Sequence, residues 1–427
     1  MRMKQTIKTV AVRARQSFVA FLRRRDPAEY FIALMLLGAT VFLLRALIGG
    51  SDAFLGIFFN QGKDLFYDFF APVRDAAQGL GVYTEMGSIY PPLSNLVIYL
   101  FSRTLPSEYL SIPREEFFRW REFPTTILTY ILYFTLSVLL LSLLLGREKH
   151  GPVKRNLFIF CTLCSFPFVF LTERGNTVIL CVIAMLIYVQ NYNSKSVVAK
   201  EFGLFMLAFA TGMKFYPVLF GLPLLADKRW KDAIHACIYG LLCLFLPSLF
   251  YKGPISVFWA IKNTLGFSGR SVAPAGDALA QSGISAELSG VLLVLFYLSL
   301  ILFVSLSALI ERKAWKTWMF GAVVMLTMPS VFSSYNWLLL LPATVMFFRS
   351  ERLTGRNWVY FFLLTIPFYT YPPRPWQNAM LISAVVGLYL MAVVETVLNL
   401  RRFLRDRKEK KNDAAKANAR IPSADES

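Results

Sequence analysis

Residues 125–155, TTILTYILYFTLSVLLLSLLLGREKHGPVKR, decide the fold. The first 22, 125–146, carry no charge. At about 1.5 Å per residue a helix of that length crosses a hydrocarbon layer of about 30 Å. The remainder brings Arg147, Lys149, Lys154 and Arg155 together. Basic residues beside a span stay in the cytoplasm, so this helix runs inward. Its sidedness fixes the reading of everything on either side.

Toward the N-terminus, residues 1–26 hold eight Lys/Arg and one Asp, and should also be cytoplasmic. The apolar run 30–49 is long enough to span and lacks a small-residue cleavage site, so it reads as a retained first helix. Between these two spans lies a large outer loop, about 50–123, with no clean crossing. Within it, 93–105 is short for a span and reads as an interfacial helix. Toward the C-terminus, further spans are expected near 157–172, 177–192, 202–213, 216–226, 233–250, 288–310, 317–332, 337–348, 357–370 and 379–399. That makes twelve, with both termini inside. In this register 32 of the 45 Lys/Arg face the cytoplasm. The pair 202–213 and 216–226 is too short for two full crossings and reads as a hairpin with Lys214 at its apex, a break tolerated where backbone lines a protein cavity. Residues 401–427 form a basic tail, amphipathic or disordered, attracted to anionic lipid.

Composition agrees. Of 427 residues, 56% are hydrophobic and only 17% charged, against roughly 25% charged in soluble proteins. The apolar residues come in long runs, which excludes a soluble enzyme, a β-barrel and a disordered chain. The net charge of +19 follows from the cytoplasmic loops and does not imply nucleic acid. Cys161, Cys164, Cys181, Cys237 and Cys243 all lie in apolar runs and read as small hydrophobes. His150 and His235 adjoin basic loops, so histidine chemistry is not expected.

Three places could carry chemistry. In the outer loop, Asp64 and Asp68 lie four apart, on one face of any helix there, among Phe66, Tyr67, Phe69 and Phe70. A carboxylate beside apolar rings gains basicity, as a general base requires; a solvated acidic loop reads equally well from residue type. In 171–176, LTERGN, the minimal turn between two apolar runs holds Glu173, Arg174 and Asn176, where ionisable groups are costly; a plain polar turn is the alternative. Third, Lys214 in GMKFYP sits alone among apolar neighbours and needs an anion or a carboxylate, unless it snorkels. Two outward turns, SSYNW (333–337) and PPRPW (372–376), offer the aromatic and polar groups of sugar sites or of an interfacial belt. The stretch 251–286, with Lys252, Lys262, Arg270 and Asp277, reads as a candidate lid.

An acid ahead of Tyr90-Pro91-Pro92-Leu93 and an interfacial helix resembles the GT-C superfamily of membrane glycosyltransferases. ERGNTVIL paired with GMKFYPVLFGLPLLADKRW resembles, more narrowly, glycosyltransferase family 87, which includes polyprenyl-phosphate mannosyltransferases and arabinofuranosyltransferases. The resemblance spans about residues 30–345. It implies an all-α polytopic membrane protein, with a single transmembrane glycosyltransferase domain over 1–400 and the tail beyond. It implies an enzyme at the outer face of a bacterial plasma membrane. That enzyme moves a hexose such as mannose, or a pentose, from a polyprenyl-phosphate donor to a cell-envelope glycan or glycolipid. Asp68, or else Asp64, becomes the catalytic base. Lys214 and Arg174 become the donor-phosphate ligands, with Glu173, Asn176, Tyr90, Tyr216, Asn336 and Arg374 lining the substrate. The lipid-linked donor is the co-substrate and no resident cofactor is expected, though a divalent ion on Asp64, Asp68 or Glu173 fits the chemistry. A monomer among membrane lipids is expected. The rival readings are a transporter or flippase of a lipid-linked saccharide, and a surface-polysaccharide polymerase or ligase. The absence of a visible internal repeat weighs against the transporter.

Overall fold

The computed structural model of the chain describes residues 26–57, 65–147, 151–271, 285–311, 313–327 and 333–418. Among them every regular element is helical. The first helix, α1, is Pro27–Leu55. The outer loop contributes α2, Tyr67–Ala77, and α3, Pro92–Ser102, followed by a 3₁₀ segment, Arg114–Glu122. Then come α4 (Pro124–Leu145), α5 (Pro152–Leu163), α6 (Phe166–Arg174), α7 (Val178–Asn191) and α8 (Val197–Met213). A 3₁₀ turn, Tyr216–Gly221, leads through the short α9 (Leu222–Ala226) to α10 (Trp230–Phe245). The remainder is α11 (Ile255–Ser271), α12 (Ala286–Ile310), α13 (Ala314–Thr327), a 3₁₀ turn at Ser334–Leu340, α14 (Leu341–Ser350), α15 (Asn357–Tyr369) and α16 (Arg374–Asn418).

Helical structure thus stands at all twelve expected places, but crossing is a stricter test. Four helical stretches are long and apolar enough to span: Pro27–Ala53, Pro124–Leu145, Trp230–Phe250 and Ala379–Arg405. A fifth candidate is the pair α5 and α6, bent by 50° at its break. The sequence had this pair as one run, 157–172. Pro167, in the first turn of α6, has no N–H to continue the hydrogen-bond ladder from α5. The count of twelve is therefore not reproduced among the described residues. Hydropathy registers apolar length and cannot tell a crossing from a short helix buried in protein. α7 is the example: 14 residues, ten of them buried and none exposed. Likewise α13 is buried along almost its whole length, from Trp315 to Leu326. The crossing candidates instead turn side chains such as Leu47, Ile48, Leu132 and Leu143 outward, as a lipid solvent permits.

Two local features shape the site. α8 packs against both α7 and α10 and ends at Met213, because Lys214 takes an extended conformation (φ −150°, ψ 135°). Pro217 follows closely and has no N–H to bond the Met213 carbonyl four residues back, so α8 cannot run on through it. α2 is amphipathic: Phe69, Phe70 and Val73 are fully buried. Phe69 stacks on Tyr133 and Phe70 on Trp120. The next segments are drawn onto this core by Arg74, whose guanidinium donates to the Pro113 carbonyl (2.9 Å) and lies over the Tyr109 ring. At the other end of the chain, residues 401–418 continue α16, and the rest of the expected tail, 419–427, lies outside the described residues.

Candidate active site

Asp68 lies in the first turn of α2, entered through Phe66 in a left-handed conformation (φ 58°). A β-carbon makes such a conformation costly, by roughly 1–2 kcal/mol. What holds it is a hydrogen bond from the Phe66 N–H to the Glu173 carbonyl, 2.9 Å. The turn after α6 is thereby tied to the start of α2. Gly175 closes that helix with φ 71°, and its N–H reaches the Leu171 carbonyl at 2.8 Å. A side chain on Gly175 would come within 2.9 Å of Phe69 Cβ and 3.2 Å of the Tyr130 ring. Tyr130 donates to the Thr172 carbonyl at 2.6 Å, which secures the same turn to α4.

This interlock brings Arg174 to Asp68. One guanidinium nitrogen lies 2.5 Å from Asp68 Oδ1, across 106 residues of sequence. The other carboxylate oxygen accepts from Asn176 Nδ2 at 2.9 Å. The two charged side chains are only 12% and 15% exposed, so the pair is sheltered yet reachable. The Arg174 guanidinium also lies over the Tyr67 ring, 5.3 Å from its centre.

Lys214 approaches from the end of α8. Its ammonium sits 5.5 Å from the centre of the Tyr90 ring and 5.9 Å from that of Tyr216. Among the described residues no carboxylate lies within ion-pair distance of it. Burial pulls its proton affinity below the ordinary lysine range, while Cys181 and then Asp68 pull it back up. Asp68 is thus within electrostatic reach. Burial drives the Tyr90 hydroxyl in the opposite direction, well above the usual tyrosine range, reinforced by Asp68 and Asp75. Tyr90 is itself fixed through its carbonyl, which accepts from the Tyr83 hydroxyl (3.0 Å) and Asn95 (3.3 Å). Beyond it, α11 lies on the preceding turn: Asn263 donates to the Tyr83 and Ser88 carbonyls, and Thr264 to that of Ile89. The stretch expected as a lid is, in this part, a helix bonded to the site's own wall.

The structure therefore gathers Asp68, Arg174, Asn176, Lys214, Tyr90 and Tyr216. Glu173 joins by its backbone. Asn336 is half-buried on the 3₁₀ turn beside Tyr335. Arg374 opens α16, and its side chain, like the whole of Asp64 and Asp277, falls outside the described residues. Among the described residues no group of three His, Cys, Asp or Glu side chains could hold a metal ion. Two residues escaped the sequence reading. Tyr335 receives a hydrogen bond from Asn176 at 2.9 Å. Tyr133 donates to the Asn176 carbonyl at 3.1 Å. The SSYNW turn had flagged the neighbourhood, but nothing in a 3₁₀ turn's sequence says which of two adjacent polar residues points inward.

Comparison with known families identifies the one to which the chain is similar. The model of glycosyltransferase family 87 matches residues 89–342, more than half of the chain. That stretch contains Tyr90, Arg174, Asn176, Lys214, Tyr335 and Asn336, whereas Asp68 precedes it. A comparison with curated proteins found no significant match.

Proposed function

The chain belongs to glycosyltransferase family 87, and we propose that it transfers a sugar from a polyprenyl-phosphate donor to an envelope glycan or glycolipid at the outer face of the membrane. The observation that carries this reading is the convergence of one carboxylate, Asp68, with two cations, Arg174 and Lys214, from three distant segments. A displacement at the anomeric carbon with a phosphate leaving group asks for such a set. The acceptor oxygen forms a bond to the anomeric carbon and its proton passes to Asp68. The bond from that carbon to the phosphate oxygen breaks, and its electron pair stays on the phosphate. Lys214 and Arg174 meet the charge that builds there, the larger electrostatic task. A guanidinium presents five N–H donors in a fork, so Arg174 serves Asp68 with one nitrogen and a phosphate oxygen with another. The departing phosphate needs no protonation, so one base suffices, unlike glycoside hydrolysis with its two carboxylates. Tyr90 and Tyr216, which flank Lys214, supply apolar faces for the lipid-proximal sugar.

The test is transfer by the purified protein in lipid nanodiscs, supplied with polyprenyl-phosphate monosaccharides (mannose and arabinofuranose) and an envelope lipid extract. Labelled sugar should appear in the acceptor, and Asp68→Asn should lower the rate about 100-fold or more. Transfer from a sugar nucleotide but from no lipid-linked donor would remove the donor assignment. Movement of the lipid-linked sugar across vesicles without any transfer would favour a transporter.

A further inference from the structure

The crossing candidate that contains α10 ends at Phe250, with Leu246, Leu249 and Phe250 each more than half exposed. The chain then turns tightly. The Ser248 carbonyl accepts from the Tyr251 N–H (3.0 Å) and the Gly253 N–H (3.2 Å), and the Gly253 carbonyl accepts from the Ser256 N–H (3.0 Å). Gly253 takes φ 75°, an angle open to a residue without a β-carbon. Five residues separate Phe250 from Ile255, the first of α11, and they reach about 18 Å at most. α11 therefore starts at the level where the span leaves the lipid. It has two unlike faces. Ser256, Val257 and Ala260 are buried, and Asn263 and Thr264 on that side bond the Tyr83, Ser88 and Ile89 carbonyls ahead of Tyr90. The other face presents Ile255 (48% exposed), Phe258 (62%) and Ile261 (40%), with Lys262 exposed among them. Positions 255, 258 and 262 follow the i, i+3, i+7 spacing of one helix face. Lys252, also exposed, stands at the head of the helix, its ammonium 5.9 Å from the centre of the Trp259 ring.

We propose that α11 is seated on an anionic lipid surface, the leaflet on the Asp68 side, and that this seat sets the depth of the Tyr90 wall against the donor phosphate. The apolar face continues the exposed end of α10, so what covers the one covers the other. An amphipathic helix at that level buries its apolar face just below the headgroups and keeps its lysines among them. Lys252 and Lys262 lie where lipid phosphates are, at the edge of the water. Anionic lipid attracts such lysines directly. Through Asn263 and Thr264 the seated helix holds the turn of Tyr90, whose ring faces Lys214. A lipid-borne donor presents its phosphate at a depth fixed by the membrane. A wall suspended from that same surface meets it at a constant height. The seat stands on the geometry of α10 and α11; its effect on transfer rests on the lipid-linked donor proposed above.

The experiment has two readouts. The first needs no substrate: a nitroxide on single cysteines at Phe258, at Leu249 as the lipid reference and at Glu108 as the aqueous one, all exposed. The full-length protein carries serine at the exposed Cys237 and is placed in nanodiscs. Power saturation compares collisions with oxygen, which partitions into lipid, and with a water-soluble nickel chelate. Position 258 should favour oxygen as 249 does, and 108 the chelate. Ile255 serves in its place if the label at 258 prevents assembly. Replacing part of the phosphatidylcholine with phosphatidylglycerol should move 258 deeper, and Lys252→Gln with Lys262→Gln should abolish that shift. The second readout is transfer. Phe258→Ser with Ile261→Ser should raise the donor fraction needed for half-saturation about tenfold and leave kcat near wild type, as expected when binding alone is weakened. An aqueous signal at 258, line broadening from a second copy, or a depth indifferent to phosphatidylglycerol overturns the lipid seat. A lipid signal at 258 with donor saturation unchanged in an active serine variant overturns the link to Tyr90. Wild-type protein that transfers from no lipid-linked donor overturns the donor reading instead; the label then still decides whether α11 is seated on lipid.

Discussion

Asp68 faces two demands that act against each other at one side chain. As the base proposed above it would have to give up contacts to receive a proton, yet Arg174 and Asn176 hold both of its oxygens. The sequence alone suggests a loop carboxylate with little structural weight. In the structure it is the counter-charge of a sheltered arginine, so Asp68→Asn should cost stability as well as rate. Stranding a partly buried charge forfeits about 2 kcal/mol or more, which a thermal melt beside the transfer assay would record as a lowered Tm. A double variant, Asp68→Asn with Arg174→Met, should recover much of that stability and none of the rate. Lys214 is the opposite case. With no described carboxylate in ion-pair reach and burial already opposing its charge, Lys214→Met should leave Tm unchanged or raised. It should weaken stabilisation by added polyprenyl phosphate; a mutant that the lipid stabilises as well as it does wild type would take Lys214 out of the phosphate site.

The turn 171–176 shows what a sequence displays and what it hides at the scale of an element. Its acid, base and amide between apolar runs marked it as costly to bury, and the structure does bring Arg174 and Asn176 to Asp68. The interlock was invisible. That Phe66 adopts positive φ and that Gly175 lies against Phe69 are facts of tertiary contact, and no periodicity encodes them. Tyr335 was hidden likewise, since its inward direction is set by the packing of its 3₁₀ turn on α6. Conversely, the hairpin apex at Lys214 was legible because Pro217 and an isolated cation are local signals. Gly175→Ala follows from the interlock. The left-handed φ and a 2.9 Å approach to Phe69 Cβ should together destabilise the protein by about 2–4 kcal/mol. It should also reduce transfer, although no chemical group is lost. Gly212→Ala tests the other wall, since its new methyl would meet Leu93 at 2.6 Å and Cys243 at 3.1 Å. That should press α3 from α8 and displace Lys214 from Tyr90, seen as a larger loss of donor binding than of Tm.

Across the whole molecule the chain separates chemistry from anchorage. α13 rises from Lys316 toward the turn that carries Tyr335, and α14 returns from it to Glu351. The far ends of these helices are held by ions. Glu395 of α16, 2% exposed, binds Lys316 and Arg356 at 2.9 Å each. Glu311 accepts from Asn399 at 2.8 Å, and Glu351 meets Lys313. Lys313, Lys316, Arg349, Arg352 and Arg356 are among the residues whose excess set the cytoplasmic side in the sequence, so the ion network and the cluster of Asp68, Arg174 and Lys214 should lie on opposite faces of the membrane. Two measurements bear on this. Among the described residues Lys316→Met leaves Glu395 one cation, the half-exposed Arg356, and should lower stability by several kcal/mol while the pH profile of transfer stays as in wild type. Sidedness is tested by single cysteines at Lys252 and Arg352, both exposed, in a background where the exposed Cys237 is serine. In intact cells an impermeant maleimide should label position 252 and spare 352 until the membrane is opened. Labelling in the reverse order would put Asp68, Arg174 and Lys214 on the cytoplasmic side, within reach of sugar nucleotides, and the lipid-linked donor would no longer follow from the geometry.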